Sequence, residues 1–351
     1  MTAATIRLSD ARFLLILLLP AGMLLNVLVA PTTVFWSALA TAVSIAAVDA
    51  LWPGAQSSPA PLGPQPHLRW LLRLYVPLQL ALLLAALTVV SGLGWPQVAG
   101  LAFGVGFVTG SLGITFAHDL GHSRKRFDRA LGWVLMASVN YSHFMVEHYR
   151  GHHPRAATWD DPASARPGES LWRFLPRVLA GSFTHAWRLE AQRLRRSSRG
   201  WVASPLAWSW GLNLALIAAV AIAGDPKMLA FWLGQSALAI WLLETIDYIE
   251  HYGLQRGIGP DGRREPFGLQ HAWNADHVLS NSVLANLQRH SDHHLRALTP
   301  YPQLQALPGP QLPTGYAGCV WLAAVPPLWS ALMDRRLAAI QPASTGEGPL
   351  P

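Results

Sequence analysis

Six stretches of the chain, roughly 13–30, 34–52, 72–92, 96–117, 205–224 and 228–246, are nearly unbroken runs of apolar residues. A helix rising about 1.5 Å per residue needs about 20 such residues to cross a bilayer, so each run predicts a transmembrane helix. In the third, the one charge, Arg73, lies at the edge. The first also fits a signal peptide, because Leu28-Val29-Ala30 precedes Pro31. Against that, little positive charge precedes it and a second apolar run follows at once. Val320 to Met333 is a shorter apolar stretch, suited to an interfacial or core helix. The stretch 306–315 reads as a loop, and 341–351, rich in Pro, Gly, Ser and Thr, as a disordered tail. No alternating run predicts a sheet.

The polar segments orient the helices. One side of the membrane receives only 31–33, 93–95 and 225–227, whose charges are Asp225 and Lys227. The other receives both termini, 53–71, the Arg-rich segment 118–204 and the segment after 246. Cytoplasmic loops carry the excess of Lys and Arg, so this side is the cytoplasm. The expected fold is therefore an all-α integral membrane protein of one domain over 1–340. Six transmembrane helices carry a histidine-rich cytoplasmic cap made of 118–204 and 247–340. In the fourth run Gly100, Gly104, Gly106 and Gly110 predict a close helix-packing face, since their spacing is not that of a nucleotide loop. Small residues of the second run, among them Ser37, Ala38, Thr41 and Ala42, predict packing or room for a ligand.

Composition sharpens this picture. A length of 351 residues would ordinarily suggest two domains, but 51% apolar and only 13% charged residues argue against a soluble chain. The net charge of +7 suits loops facing anionic lipid better than nucleic acid. Cys319 is the single cysteine, which excludes an intrachain disulfide, a thiolate zinc cluster and a fused four-cysteine iron centre. Histidine, with 14 residues, is the unusual count.

Most of these histidines fall in four short boxes at or beyond the cytoplasmic ends of the runs. They are His118-Asp-Leu-Gly-His122, Glu147-His148-Tyr-Arg-Gly-His152-His153, Glu250-His251-Tyr-Gly-Leu254 and His290-Ser-Asp292-His293-His294. Residues i and i+4 share a helix face. His118 with His122, and His148 with His152, are thus expected to aim at common points, with His153 turned by about 100° toward a second metal. His290, His293 and His294 repeat the arrangement. Nine imidazoles are too many for one zinc and suit two metals with four or five ligands each. Asp119, Glu147, Glu250 and Asp292 are candidates to accept the second ring N–H of ligating histidines, or to join the ligands themselves. His67, His143 and His185 read as structural, and His271 and His277 stay open. A metal transporter would want ionisable residues near the middle of several spans, and almost none are present. A redox-capable dinuclear site in a membrane, with no hydrolytic nucleophile motif, points to dioxygen chemistry on an apolar substrate. Electrons must come from outside, and an Arg-rich face can dock an acidic carrier.

At these boxes the chain resembles the membrane-bound alkane 1-monooxygenases of bacteria, within the histidine-rich membrane desaturase and hydroxylase group. The most specific stretches are Tyr248-Ile-Glu250-His251-Tyr252-Gly253-Leu254 and Leu287-Gln-Arg-His290-Ser-Asp-His-His294. Phe127-Asp128-Arg129, Asp161-Pro-Ala-Ser-Ala-Arg166, Leu189-Glu190-Ala-Gln-Arg193-Leu194, Trp273-Asn274 and Leu312-Pro-Thr-Gly-Tyr316 also match, so the resemblance covers about 10–336. It implies a di-iron centre on His118, His122, His148, His152, His153, His251, His290, His293 and His294. It implies O2-dependent terminal hydroxylation of a linear alkane, with electrons from NAD(P)H through a reductase and rubredoxin, at the bacterial inner membrane. Asp119, Asp247 and Ser123 depart from the residues usual there (Glu, Asn and Lys). Those departures leave the chain-length preference and the substrate class open, with aromatic methyl groups, terpenoids and fatty acyl chains as variants. Desaturation is a further variant, against which the specific third and fourth boxes count.

Overall fold

The computed structural model describes residues 8–52, 65 and 67–340. The expected tail 341–351 lies outside them. Among the described residues six helices are long and apolar enough to cross a membrane: α1 (Arg12–Val29), α2 (Pro31–Leu51), α3 (Arg69–Gly92), α4 (Trp95–Gly121), α8 (Pro205–Ile222) and α9 (Pro226–His251). Between and after them come α5 (Arg126–Ser138), α6 (144–155), α7 (Leu171–Arg196), α10 (Val278–Val283), α11 (His290–Leu295), α12 (Tyr316–Ala324) and α13 (Pro326–Ile340). Strand pairing among the described residues is limited to two isolated bridges. The protein is a multi-pass, all-helical membrane protein.

The starts of these helices follow from local chemistry. Pro205 and Pro226 sit in the first turn of α8 and α9, where a missing N–H costs nothing. Ser204 and Asp225 cap them by accepting from the backbone N–H of Ala207 and Lys227. Side chains such as Leu25, Trp36, Leu84, Trp208 and Leu214 stand exposed on the outer faces, as lipid contact requires.

α4 runs through the centre of the bundle; its Gly100 and Gly104 face α2, and Gly106 and Gly110 face α9. A Cβ on Gly106 would lie 2.8 Å from the Gln235 carbonyl oxygen, and one on Gly110 2.7 Å from Ala239 Cα. Only hydrogen at these positions lets the two backbones approach so closely, as the glycine spacing predicted.

Two features depart from the pattern read along the chain. Val320–Met333 is not one short helix. It belongs to α12 and α13, which meet at 119° around Val325, where Pro326 disfavours helical backbone in the residue before it. The segment after His122 is also not wholly cap. Asp128, fully buried, accepts from Arg69 Nε (2.8 Å), Arg73 Nε (2.8 Å) and Ser123 Oγ (2.6 Å), fixing the start of α5 at the histidine end of the bundle. α5 then descends beside α3 and α4, and the chain turns at Val139–Tyr141 and climbs back as α6.

Polar side chains from the spans hold this turn. Gln79 Nε2 donates to Ser138 Oγ (2.7 Å), Gln235 Nε2 to the Ser138 carbonyl (3.2 Å) and Asn140 Nδ2 to Ser236 Oγ (2.7 Å). Thr109 Oγ1 donates to Gln235 Oε1 (3.0 Å). Asn140 takes φ 56°, a left-handed conformation that asparagine tolerates. Ser236 lies 15 residues before His251, about 22 Å along α9. The hairpin is therefore re-entrant, and its non-helical tip sits at membrane depth because protein surrounds and satisfies it.

Candidate metal centre

All nine box histidines converge at one end of the bundle. His118 sits on the last turns of α4 and His122 just beyond its end. α6 carries His148, His152 and His153, the last turn of α9 carries His251, and α11 carries His290, His293 and His294. They divide into two clusters, His118, His122, His148, His153 and His293 in one, and His152, His251, His290 and His294 in the other.

That division corrects the helical-wheel expectation for the second box. His148 does not share a point with His152, because His148–His152 winds as a π-helix. One turn of that helix brings residues five apart into register. His148 therefore meets His153, their Nε2 atoms 3.0 Å apart, and His152 turns to the other cluster. α11 is an ordinary α-helix, so His290 meets His294 (2.9 Å) while His293 faces His153 (3.2 Å). A second π-helical segment, Thr109–Ile114, precedes His118.

The donor geometry fits metal ions. Imidazole nitrogens about 2.0–2.1 Å from one ion, at tetrahedral or right angles to each other, lie about 2.9–3.4 Å apart. In the first cluster Nε2 of His153 lies 3.1 Å from His122, 3.0 Å from His148 and 3.2 Å from His293. In the second, His251–His290, His290–His294 and His152–His294 are separated by 3.2, 2.9 and 3.3 Å. His152 Nδ1 donates to Asp161 Oδ2 (2.9 Å) and His251 Nδ1 to the His271 carbonyl (3.3 Å). With the proton on Nδ1, each of these rings presents a bare Nε2 lone pair to the others, an arrangement that calls for a cation between them. Burial, and then the neighbouring histidines, hold His122, His148, His153, His290, His293 and His294 well below the usual imidazole range, in the neutral form that ligates. Burial acts the same way on His152, but the Asp161 carboxylate outweighs it and holds that ring above the usual range.

The four predicted carboxylates take different places. Glu250 lies beside the second cluster, with Oε1 3.2 Å from His290 Nδ1 and accepting from Tyr316 OH at 2.6 Å. The other three approach none of the nine rings this closely. Asp119 accepts from the Tyr301 backbone N–H (3.1 Å). Glu147 pairs with His185 (3.0 Å), and Asp292 with Arg296 (2.6 Å). In each case the carboxylate leaves the helix on a different side from its histidine neighbour. Asp161 is the partner that spacing did not reveal. It lies on a turn nine residues past His152, and only its place in a matching stretch marked it. Of the other histidines, His271 bonds Glu265 (3.0 Å), His67 stands 3.9 Å from Asp10, and buried His143 stacks on Trp210. His277 lies outside both clusters.

A cavity of about 490 Å³ leads away from the histidines between α1, α2, α4, α9 and α12. His118, His148, His290 and Glu250 line one end; Phe103 and Asn26 line the far end. Ser37, Thr41 and Ala42 supply part of the wall, so the small residues of α2 leave space as well as packing closely. On the opposite side of the clusters a second depression is bordered by His122, His153, His294, Arg124 and Arg129.

A six-span helical bundle whose buried histidines face each other at the head of an apolar cavity defines a histidine-rich membrane protein with a site shaped for metal. Residues 93–322 match the fatty acid desaturase family model. The chain is 45% identical over 250 residues to alkane 1-monooxygenase 1 of Pseudomonas aeruginosa, a match covering 70% of this chain and 65% of the relative. It is 39% identical over 280 residues to alkane 1-monooxygenase of Pseudomonas putida, covering 77% and 68%. The hydroxylase component of a xylene/toluene monooxygenase from Pseudomonas putida is 27% identical over 242 residues, covering 68% and 64%. The chain thus spans a little under two thirds of the length of the first of these relatives. It belongs to the fatty acid desaturase family, in the branch of the alkane 1-monooxygenases.

Proposed function

We propose that the protein hydroxylates the terminal carbon of a linear alkane, consuming O2, two electrons and two protons and giving a primary alcohol and water. The carrying observation is the pair of histidine clusters at the head of an apolar cavity. The nine histidines would hold two iron ions, five ligands at one and four at the other. Iron bound there supplies the redox chemistry that reduces dioxygen and breaks an unactivated C–H bond. The chain's own residues do the rest. Asp161 keeps the His152 proton on Nδ1 so that Nε2 stays free to ligate. The apolar walls admit hydrocarbon from the bilayer, exclude water and present the chain end-on to the histidines.

The shape favours a long, linear substrate. His118 and Phe103 both line the cavity and stand 15 residues apart on α4, so it extends about 20 Å along that helix. The xylene/toluene relative favours a second reading, hydroxylation of aromatic methyl groups on the same scaffold. The depression beside His122, His153 and His294, with Arg124 and Arg129 on its border, suits an acidic electron carrier. Rubredoxin, reduced by its reductase with NAD(P)H, would dock there. That face is then cytoplasmic, with both termini on it, in a bacterial inner membrane.

The test is a product assay. Membranes holding the protein receive rubredoxin, its reductase, NADH and ¹⁸O2 with a panel of alkanes, xylene and a fatty acyl ester. Labelled 1-alkanol is the expected product. Turnover of xylene or the acyl ester in place of every alkane would overturn the alkane assignment and keep the hydroxylase. Desaturated product would move the chain to the desaturase reaction. Inactive membranes without bound iron would overturn the metal assignment.

A further inference from the structure

The cavity is apolar apart from a few side chains, and nearly all of these are already engaged. Asn26 accepts from Ser37 Oγ (2.5 Å), Glu250 from Tyr316, and Asp49 from Ser280. The remaining hydroxyls on its walls bond backbone carbonyls of their own helices. Apart from the histidines and the exposed Trp321, two lining side chains are exceptions: Trp241, whose buried ring N–H has no acceptor, and Asp247. Asp247 lines the cavity, is only 7% exposed, and has no hydrogen-bond partner among the described residues. No Lys or Arg lines the cavity, and the charged groups that act on Asp247 are the acids Glu244, Glu250, Asp161 and Glu147.

A carboxyl that opens onto an apolar cavity without a protein partner gains from a ligand that supplies the missing bond. In either protonation state it presents an acceptor oxygen to the cavity. Its place is at the reactive end. It precedes His251 by four residues, about 6 Å along α9, and Glu250, which shares that stretch of the helix, stands against His290.

We propose that Asp247 determines specificity by accepting a hydrogen bond from a hydroxyl group at the reactive end of the bound chain. The cavity then takes a long-chain primary alcohol in preference to the hydrocarbon of the same length. This rests on the cavity being the substrate site. An ammonium would also complement an acid, but it would enter between apolar walls as a buried charge, at far greater cost than a neutral hydroxyl.

The test is equilibrium binding, which needs no turnover. Purified protein in nanodiscs is titrated with tritiated 1-hexadecanol, hexadecane and hexadecylamine, with empty discs subtracted. The alcohol is expected to bind the native protein at least ~10-fold more tightly than hexadecane, the scale of a hydrogen bond to a charged or acidic group. Asp247→Leu brings the alcohol to the level of the hydrocarbon and changes hydrocarbon binding by less than about 2-fold, because Leu keeps the branching and number of side-chain heavy atoms. Asp247→Asn keeps an acceptor oxygen and so keeps most of the preference. Equal binding of alcohol and hydrocarbon by the native protein overturns the proposal. So does equal weakening of both by the Leu variant, or tightest binding of the amine. If hydrocarbon binds without a preference for alcohol, only the role of Asp247 falls. If no ligand binds, the substrate reading of the cavity falls with it.

Discussion

Replacing Asp161 by Asn isolates the link between one carboxylate oxygen and one metal position. Asp161 is buried and accepts three hydrogen bonds. The Ala163 N–H reaches Oδ1 (3.1 Å); His152 Nδ1–H (2.9 Å) and the Ser164 hydroxyl (2.7 Å) reach Oδ2. The amide oxygen of Asn can stay with Ala163, and the Ser164 hydroxyl can rotate to donate elsewhere. His152 cannot adjust so simply, because an NH2 group would face its Nδ1–H. The ring relieves that clash by moving its proton to Nε2, toward His294 at 3.3 Å, and thereby loses its ligating lone pair. Loss of such an outer partner weakens metal binding about 10–100-fold, or about 1.4–2.7 kcal/mol. The assay is metal content after dialysis against graded chelator, read as two successive losses per chain. In Asp161→Asn the ion held by His152, His251, His290 and His294 should leave at about 10–100-fold lower chelator, with the other loss unmoved. Unchanged stripping of both ions would refute the assignment of Asp161 and of His152 as a ligand.

Two predictions concern the scaffold. Gly110→Ala puts a Cβ 2.7 Å from Ala239 Cα, a backbone atom that cannot step aside, so it should cost about 1–3 kcal/mol and lower the thermal midpoint in detergent. Gly22→Ala, with open space around it, should leave the midpoint unchanged or slightly raised. Glu190 is buried, which alone would raise its pKa, but hydrogen bonds from Arg193, Arg150 and Ser204 hold it at about 2 against an ordinary 4.5. Its contribution is therefore complete above about pH 4.5 and fades as the pH falls toward 2. Thermal midpoints from pH 6 to 3 should decline less steeply in Glu190→Gln, which starts about 1–3 kcal/mol less stable.

Much of this architecture can be read from residue order alone. Hydropathy sufficed for the spans because lipid imposes one requirement, an unbroken apolar run, and the ends of all six helices fall within a few residues of the runs. Gly106 and Gly110 announced a close approach because no other residue type permits one. The histidine boxes marked the site because few alternatives explain clustered imidazoles at a membrane border. What escaped depends on partners distant in sequence or on departures from 3.6 residues per turn. α5 mixes Arg126, Asp128 and Arg129 with apolar residues over 13 positions, too short and too charged to suggest membrane depth. Its burial depends on Gln79, Gln235 and Ser236 from other helices. The π-turn at His148–His152 leaves no periodic trace, yet it decides which imidazoles meet. Nor does spacing tell which way a carboxylate beside a histidine will point, so Asp119, Glu147 and Asp292 looked much like Glu250.

The re-entrant hairpin also constrains how the protein is made. The residues that hold its tip, Gln235 and Ser236, lie almost a hundred positions downstream of Ser138 and Asn140. When α5 and α6 emerge from the ribosome, neither α8 nor α9 exists to accept their polar tip, and bare lipid would leave those amides unpaired. The hairpin can therefore have its tip satisfied at that depth only once α9 is in place beside it. His148, His152 and His153 ride on its returning limb, and His290, His293 and His294 are synthesised later still. Neither cluster can be complete before the fourth box has been synthesised, so acquisition of metal would follow the making of α11. A defect at the tip, some 20 Å from the histidines along α9, would then surface as a failure to load metal.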